Sequence, residues 1–552
     1  MKRTAEELAT VLRALVVDFG NRDLGLLGVA RAANSFANWA FAIGLGVYAF
    51  EIGGAVAVGV IGLVRLAPGA IASPFAGILV DRHPRRSVLV GGGLGTTLLL
   101  AAAGAAAALD APAAAIFVLA GAFTVVISGY VPAEAALLPA LARTPQELSA
   151  ANVTFSTMDN AGFLLAAACT GVTLAVASPE AVFLVAALGA LLNTSLVAGI
   201  TPDRRPAYVR EDELSGVLRQ TTLGFRTLAE HRGLLLLAAT LTLLVFFEGT
   251  ADVLVVIMAL DLLGLDEGSV GFLNAAWGIG ALLGAAGLTL LLRRGRLAVA
   301  LAAGSIALGG AVALPGTWPV PLAAYAGWVG IGIGYTFIEV AAKTLLQRLG
   351  SDETLGRALG SLESARLAAM AVGSISAAAL VALMGTRGAL LALGALMPVF
   401  VALCWARLRA YEIGAPVAEA SFRLLRENPI FAPLPVATLE RLSHDLTPVG
   451  ARSGEEVITQ GDHGDSFYLI EEGEVEVFED GAFRRREGPG ESFGEIALLR
   501  DVPRTATVRA TVPTRLLRLG RDQFITAVTG HRRSGEAAQA LVDARWGTSV
   551  RS

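Results

Sequence analysis

The chain has 552 residues, of which 54% are hydrophobic and 16% charged, with a mean hydropathy of +0.63. A soluble protein carries roughly one-quarter charged residues, so lipid must be the solvent for most of this chain. A formal net charge of −4 excludes a bulk nucleic-acid binder, which would be basic. The two cysteines, Cys169 and Cys404, exclude a disulfide scaffold and a cysteine zinc site. The five histidines fall outside the apolar runs, so no His cluster offers a metal site or a buried relay.

Residues 1–22 are polar and amphipathic, carry acidic side chains and lack a small-residue cleavage site. They read as a cytoplasmic segment ahead of the first span. About twelve apolar runs of spanning length follow: 25–50, 54–80, 87–109, 112–141, 151–176, 179–200, 233–261, 269–292, 297–314, 319–347, 358–384 and 388–410. The loops at 81–86, 143–147, 201–232, 293–296 and 348–357 hold most of the loop arginines, while the alternate loops hold one, Arg387. The positive-inside rule therefore places both termini in the cytoplasm of a multi-pass protein, expected in the plasma membrane. The long 201–232 loop, with an amphipathic stretch from Ser215 to Leu228, divides the spans into halves at 23–200 and 233–411. A linker at 412–426 and a soluble domain at 427–552 complete the expected layout.

The turn between the second and third spans reads Gly77-Ile-Leu-Val-Asp81-Arg82-His-Pro-Arg85-Arg86. It resembles the signature loop of the major facilitator superfamily, with Pro84 where that family usually has glycine. The resemblance covers about residues 20–411 and implies a transporter of two six-helix halves. It also implies a gate: Asp81 accepts charge-assisted bonds that latch the cytoplasmic side. Simple positive-inside topology is the plainer reading of the same charges. The stretch Val131-Pro132-Ala133-Glu134 to Leu138-Pro139, with Ala151-Asn152, resembles the drug- and siderophore-exporter branch that includes the enterobactin exporter.

An ionisable residue inside a span is costly and marks a candidate pathway. The candidates are Arg31, Arg65, Glu134, Asp159, Glu248, Asp252, Glu339, Lys343, Glu363 and Arg366. Glu248 and Asp252 are four apart and share a helix face, as suits a proton carrier. Glu339 and Lys343 can neutralise each other. The chain has only two lysines, Lys2 and Lys343, and lysine can lose its proton where arginine cannot. Asn34 and Asn38 share a face of the first span and can line a cavity or bond another helix. Structural pairing is the competing reading for each of these residues.

From Leu446 the periodicity switches to two. Gly454 to Asp462 reads as a strand running into a turn, Asp465 to Phe478 as a hairpin, and Leu516 to Leu519 as a further strand. Asp522–Val528 and Gly535–Trp546 read as helices, giving a short-stranded β roll closed by helices. Within it lies Gly490-Glu-Ser-Phe493-Gly494-Glu495-Ile496-Ala497-Leu498-Leu499-Arg-Asp-Val-Pro503-Arg504-Thr505-Ala506-Thr507. This closely resembles the phosphate-binding cassette of cyclic-nucleotide-binding domains. The resemblance spans about 427–546 and implies a regulatory ligand, cAMP first and cGMP compatible, held by Phe493, Gly494, Glu495, Ile496, Ala497, Arg504, Thr505 and Ala506. Arg504 would take the cyclic phosphate, Glu495 the ribose 2′-hydroxyl, and Thr505 would add a donor. A degenerate roll without ligand is the plainer alternative. The final helix would close over the base through Ala538, Leu541, Val542 and Arg545. An acidic face of Glu471, Glu472, Glu474 and Glu476 would meet the arginine-rich membrane turns.

No paired metal ligands, nucleophile–base set or Walker A sequence occurs, so neither an enzyme nor an ATP-driven pump is expected. The expectation is a secondary, proton-coupled transporter, an exporter of a small molecule, regulated by cyclic nucleotide. A lipid or lysophospholipid translocator and a non-transporting membrane-anchored sensor stay open. No cofactor or nucleic-acid partner is expected; the substrate and the oligomeric state stay unknown.

Overall fold

In the computed structural model the described residues are 20–142, 145–201, 226, 232–292, 297–349, 352–413, 419–434, 436–529 and 532–546. The chain divides into two compact units, Met1–Arg409 and Ala410–Ser552. The amphipathic stretches expected in 1–19 and 215–228, apart from residue 226, and the turn at 293–296 lie outside the described residues.

The first unit is helical: α1 (Arg22–Arg82), α2 (Arg85–Ala108), α3 (Ala113–Ser128), α4 (Tyr130–Leu141), α5 (Pro145–Val176), α6 (Pro179–Ala198), α7 (Arg232–Ile257), α8 (Gly268–Leu292), α9 (Leu297–Thr317), α10 (Pro321–Leu349) and α11 (Asp352–Ile413). Ten stretches among the described residues are long and apolar enough to cross a membrane. Two of them, Arg22–Ser73 and Ala365–Arg409, run to 52 and 45 residues. At 1.5 Å per residue these reach roughly 78 and 68 Å, more than twice the ~30 Å hydrocarbon core. Each breaks where the chain must reverse. Gly54 has φ 58° with ψ −152°, and Gly385 has φ 71° with ψ 170°, conformations that only glycine adopts cheaply. The 112–141 run, expected as a single helix, divides at Gly129 into α3 and α4. Pro132 has no N–H to give the Ser128 carbonyl, so the helical ladder lapses there.

Glycine sets the helix spacing. A Cβ on Gly280 would strike the Val329 backbone, and one on Gly332 the Trp277 carbonyl. The halves meet through α5 and α8, where Gly271 abuts Gly171, and through α1 and α11, where Gly62 packs on Ser374. Small residues let backbones approach, which in lipid replaces the hydrophobic effect as the packing force. These seams lie toward the short, charge-poor turns. Toward the arginine-rich end, Arg31 joins α1 to α4 and α5: its Nη1 lies 2.6 Å from Glu134 Oε2 and its Nε 3.0 Å from Asp159 Oδ1.

The second unit opens with α12 (Glu419–Glu427) and α13 (Val436–Asp445). Two four-stranded antiparallel sheets follow, built from β1 (Thr447–Ala451), β2 (Glu456–Ile458), β3 (Ser466–Glu472), β4 (Val475–Glu479), β5 (Ala482–Glu487), β6 (Ser492–Phe493), β7 (Thr507–Ala510) and β8 (Thr514–Gly520). Their orders are β1-β8-β3-β6 and β2-β7-β4-β5. Helices α14 (Glu495–Arg500), α15 (Arg521–Thr529) and α16 (Arg532–Trp546) complete it.

Strand β3 is buried on both faces. Phe467 and Leu469 join a core of helix residues with Phe431 and Phe524, while Ile470 faces the second sheet with Val477 and Phe493. The hairpin expected over 465–478 is therefore corrected. Both edges of β3 are taken, by β6 and β8, and β4 pairs instead with β5 and β7. The chain crosses between sheets at Gly473–Glu474, where Glu474 N–H donates to Thr514 Oγ1 at 3.2 Å and Thr511 N–H to Glu474 O at 3.0 Å. Alternation marks the strands but does not say which edges pair.

The Arg31 triad gives a stability test. Glu134 is only 3% exposed, so removing its cation leaves a buried charge without compensation. Such a loss costs about 3–5 kcal/mol, whereas removing both partners costs far less. Arg31→Met should lower the thermal midpoint of the detergent-solubilised protein, and Arg31→Met with Glu134→Gln should recover at least half of that drop. Additive losses in this double-mutant cycle would mean the pair is energetically uncoupled.

Candidate functional sites

In the second unit, the eight cassette residues named from sequence line one partly open cavity of about 40 Å³, room for a few waters. Gly494 caps α14 at φ 92°, and a Cβ there would sit 2.8 Å from Arg504 Nη1. Only glycine permits both the dihedral and this approach. Arg504 is 5% exposed. Its Nη1 donates to Gly494 O at 3.0 Å and its Nη2 to Ser466 O at 2.7 Å, with Asp465 Oδ1 at 3.7 Å. Burial pushes its pKa down from the usual arginine value, and Tyr468, Asp465, Glu495 and Asp462 oppose that shift. An arginine stays protonated under such a shift, so the guanidinium remains a cation with further donors beyond the two it uses.

Glu495 is 1% exposed at the first position of α14. Phe493 stacks on Tyr468 with ring centroids 5.3 Å apart, which fixes β6 against β3. Ala497 is buried, and Ile496, Thr505 and Ala506 are partly buried or semi-exposed along the rim. The cavity also takes Ile458, Val477, Arg485 and Val508, which sequence reasoning did not name. Arg485 had a signal: on β5 it shares the inward parity of Glu487, to which it is paired at 2.8 Å.

One expectation fails here. Ala538 and Val542 of α16 are fully buried, and Ala538 belongs to the core around Phe431, Phe467 and Phe524 rather than facing the cavity. The acidic face is partly paired within the unit, two arginines against four carboxylates. Arg515 lies 2.9 Å from Glu471 and 3.8 Å from Glu472, and Arg486 lies 3.2 Å from Glu474 and 2.6 Å from Glu476.

In the first unit the pathway candidates fall into separate groups. Arg31, Glu134 and Asp159 form the triad above. Tyr335 Oη–H donates to Glu248 Oε2 at 2.6 Å, and Lys343 Nζ lies 2.6 Å from Glu339 Oε1. Arg65 and Asp252 line a small cavity of about 60 Å³ between the halves, with Trp39, Asn274 and Ser374. Arg65 Nη1 is buried there with no hydrogen-bond partner among the described residues. So Glu248 bonds Tyr335, while Asp252, four residues on, lines the cavity with Arg65. Asn34 and Asn38 are half-buried and outside these groups.

At the signature loop, Gly77 and Asp81 lie in the last turns of α1; their side chains lie outside the description. Arg82 is exposed, Pro84 precedes α2, and Arg85 and Arg86 open it. Arg86 Nη2 donates to the Ala198 carbonyl at 2.5 Å, holding the C-terminal end of α6, where a cation is favoured. The described residues include no cluster of three or more His, Cys, Asp or Glu able to hold a metal.

Known proteins match the two units separately. Residues 449–531 match the family model of the cyclic nucleotide-binding domain. Over 113 residues the chain is 40% identical to a cAMP-dependent protein kinase regulatory subunit of Yarrowia lipolytica, covering 20% of this chain and 30% of that one. The corresponding subunit of Emericella nidulans is 39% identical over 106 residues, or 18% and 25% of the two chains. This chain thus spans less than a third of either relative. A solved regulatory domain of Toxoplasma gondii PKA with cAMP is 33% identical, covering 20% of this chain and 43% of its own, with a TM-score of 0.19. The helical unit answers to a different family, whose model matches residues 27–351, more than half of the chain. The chain belongs to the Major Facilitator Superfamily, and it carries a cyclic nucleotide-binding domain behind its helices.

Proposed function

We propose that this protein is a proton-coupled secondary transporter, an exporter of a small molecule across the plasma membrane, regulated by cAMP at the second unit. The observation that carries the regulatory half is the convergence of the eight cassette residues on one cavity around a buried, carbonyl-tethered arginine. The curated relatives are cAMP-dependent kinase subunits, which supports cAMP as the ligand. In this reading Arg504 turns spare donors to the cyclic phosphate, Glu495 accepts the ribose 2′-hydroxyl and Thr505 adds a donor. A nucleotide exceeds the present cavity, so Arg504 and its neighbours yield as it enters. With the arginine-rich turns cytoplasmic, the glycine seams lie on the outer side. Asp159 and Lys343, 43% and 47% exposed, then lie on the cytoplasmic side of the seams, which supports an inward-facing arrangement.

Three outcomes follow. Losing a charge-assisted partner of a buried phosphate costs roughly 2–5 kcal/mol. Titration calorimetry on the full chain in detergent should show cAMP binding that Arg504→Ala weakens at least tenfold; unchanged affinity would end the assignment. For coupling, Glu248, Asp252 and Glu339 are the carriers. In proteoliposomes with an imposed pH gradient, at least one of Glu248→Gln, Asp252→Asn and Glu339→Gln should lose gradient-driven accumulation. Full accumulation in all three would place coupling elsewhere.

For regulation, a ligand shifts a gate only by its differential affinity for the two states. Gly271→Leu cannot close the α5–α8 seam and so biases the other state. By reciprocity, cAMP affinity in that variant should change by the same factor by which cAMP shifts the transport equilibrium, with about 1.4 kcal/mol for a tenfold effect. Identical affinity in the variant and the wild type would make the domain a tether rather than a regulator.

A further inference from the structure

A groove of about 690 Å³ opens between α1 and α2, with α3 and the start of α4 also lining it. Its walls are apolar, with Phe75, Val88, Val125 and Val126 among them. It is long because glycine bares the wall of α2. Gly91, Gly92 and Gly95 all line it, and a Cβ on Gly91 would meet nothing within 4 Å. Gly93, one residue on, packs against Thr194 and so has a helix-packing reason. Gly91 has none, although glycine in a helix costs roughly 1 kcal/mol relative to alanine. The lining runs from Ser87 to Gly95 along α2, about 12 Å of depth, close to the hydrocarbon thickness of one leaflet.

At one end His83 and Ser87 line the groove, and the exposed Arg82 and the half-buried Arg85 flank His83 in the sequence. An apolar slot one leaflet deep beneath a basic rim matches one chemistry. We propose that this groove binds an anionic glycerophospholipid, with an acyl chain along the glycine wall of α2 and the phosphate at Arg82, His83 and Arg85. Zwitterionic lipid can fill the slot but gains less at the rim. The site is separate from the inter-half cavity and from the nucleotide cassette, and it does not depend on what is transported.

The test is native mass spectrometry of the full chain in detergent, titrated with phosphatidylglycerol or with phosphatidylcholine. Phosphatidylglycerol should bind tighter, by about fivefold for each basic residue engaged. Gly91→Leu should abolish retention of both lipids, while Gly91→Ala should retain them. Arg82→Gln should cut the preference for phosphatidylglycerol over phosphatidylcholine about fivefold, phosphatidylglycerol losing more than phosphatidylcholine. Equal binding of the two lipids by the wild type would overturn the proposal. So would wild-type phosphatidylglycerol binding in Gly91→Leu, or an undiminished preference in Arg82→Gln.

Discussion

A charge placed in hydrocarbon costs several kcal/mol unless another group answers it, and the arrangement of the helical unit follows from that cost. Arg31 meets Glu134 and Asp159 and so ties α1 to α4 and α5. Tyr335 meets Glu248, which fixes α10 against α7. Each bond joins helices far apart in sequence, so satisfying the charges also fixes the packing. Apolar contacts cannot do this alone, because a lipid tail competes for them on nearly equal terms.

Glycine supplies the complementary constraint. Where backbones touch, as at Gly271 on Gly171 or Gly309 on Gly394, side-chain volume is absent and carbonyls approach closely. Such a seam fits in one register only, and it can part without breaking hydrogen bonds within either helix. The Arg31 triad ties helices within the first half and the Tyr335–Glu248 bond does so in the second, while glycine contacts occur both within the second half, as at Gly309 on Gly394, and between the halves, as at Gly271 on Gly171. The contacts between the halves, at Gly271 on Gly171 and Gly62 on Ser374, are the ones that can part as two halves separate.

Much of this was legible in the sequence, for identifiable reasons. Twenty-residue apolar runs and the asymmetry of arginine in the turns are one-dimensional signals, and they mark the helices. The cassette is local too: Gly494, Glu495 and Arg504 lie within eleven consecutive positions, so their convergence needs only one turn and one short helix. What stayed hidden was non-local. Strand β3 alternates like half of a hairpin, yet both its edges belong to strands distant in sequence. Ala538 and Val542 lie on the face of an amphipathic helix, and only the position of Phe467 and Phe524 shows that this face meets the core. The acidic run from Glu471 to Glu476 reads as a free surface until β5 and β8 bring Arg486 and Arg515 alongside. The groove beside α2 left a trace, a glycine run with no evident purpose, which only the open space at Gly91 explains.

The partners of the buried carboxylates also differ in a way that bears on proton movement. Glu134 is held by Arg31, whose guanidinium keeps its proton. Protonating Glu134 would leave Arg31 with only the more exposed Asp159. Glu339 is held instead by Lys343, one turn away on the same helix. Glu248 is held by a neutral phenol, which remains a hydrogen-bonding partner whether the carboxyl is ionised or not. On the proposed reading of proton coupling, the carboxylates that no arginine pairs, Glu248 and Glu339, both lie in the second half of the helical unit, on α7 and α10.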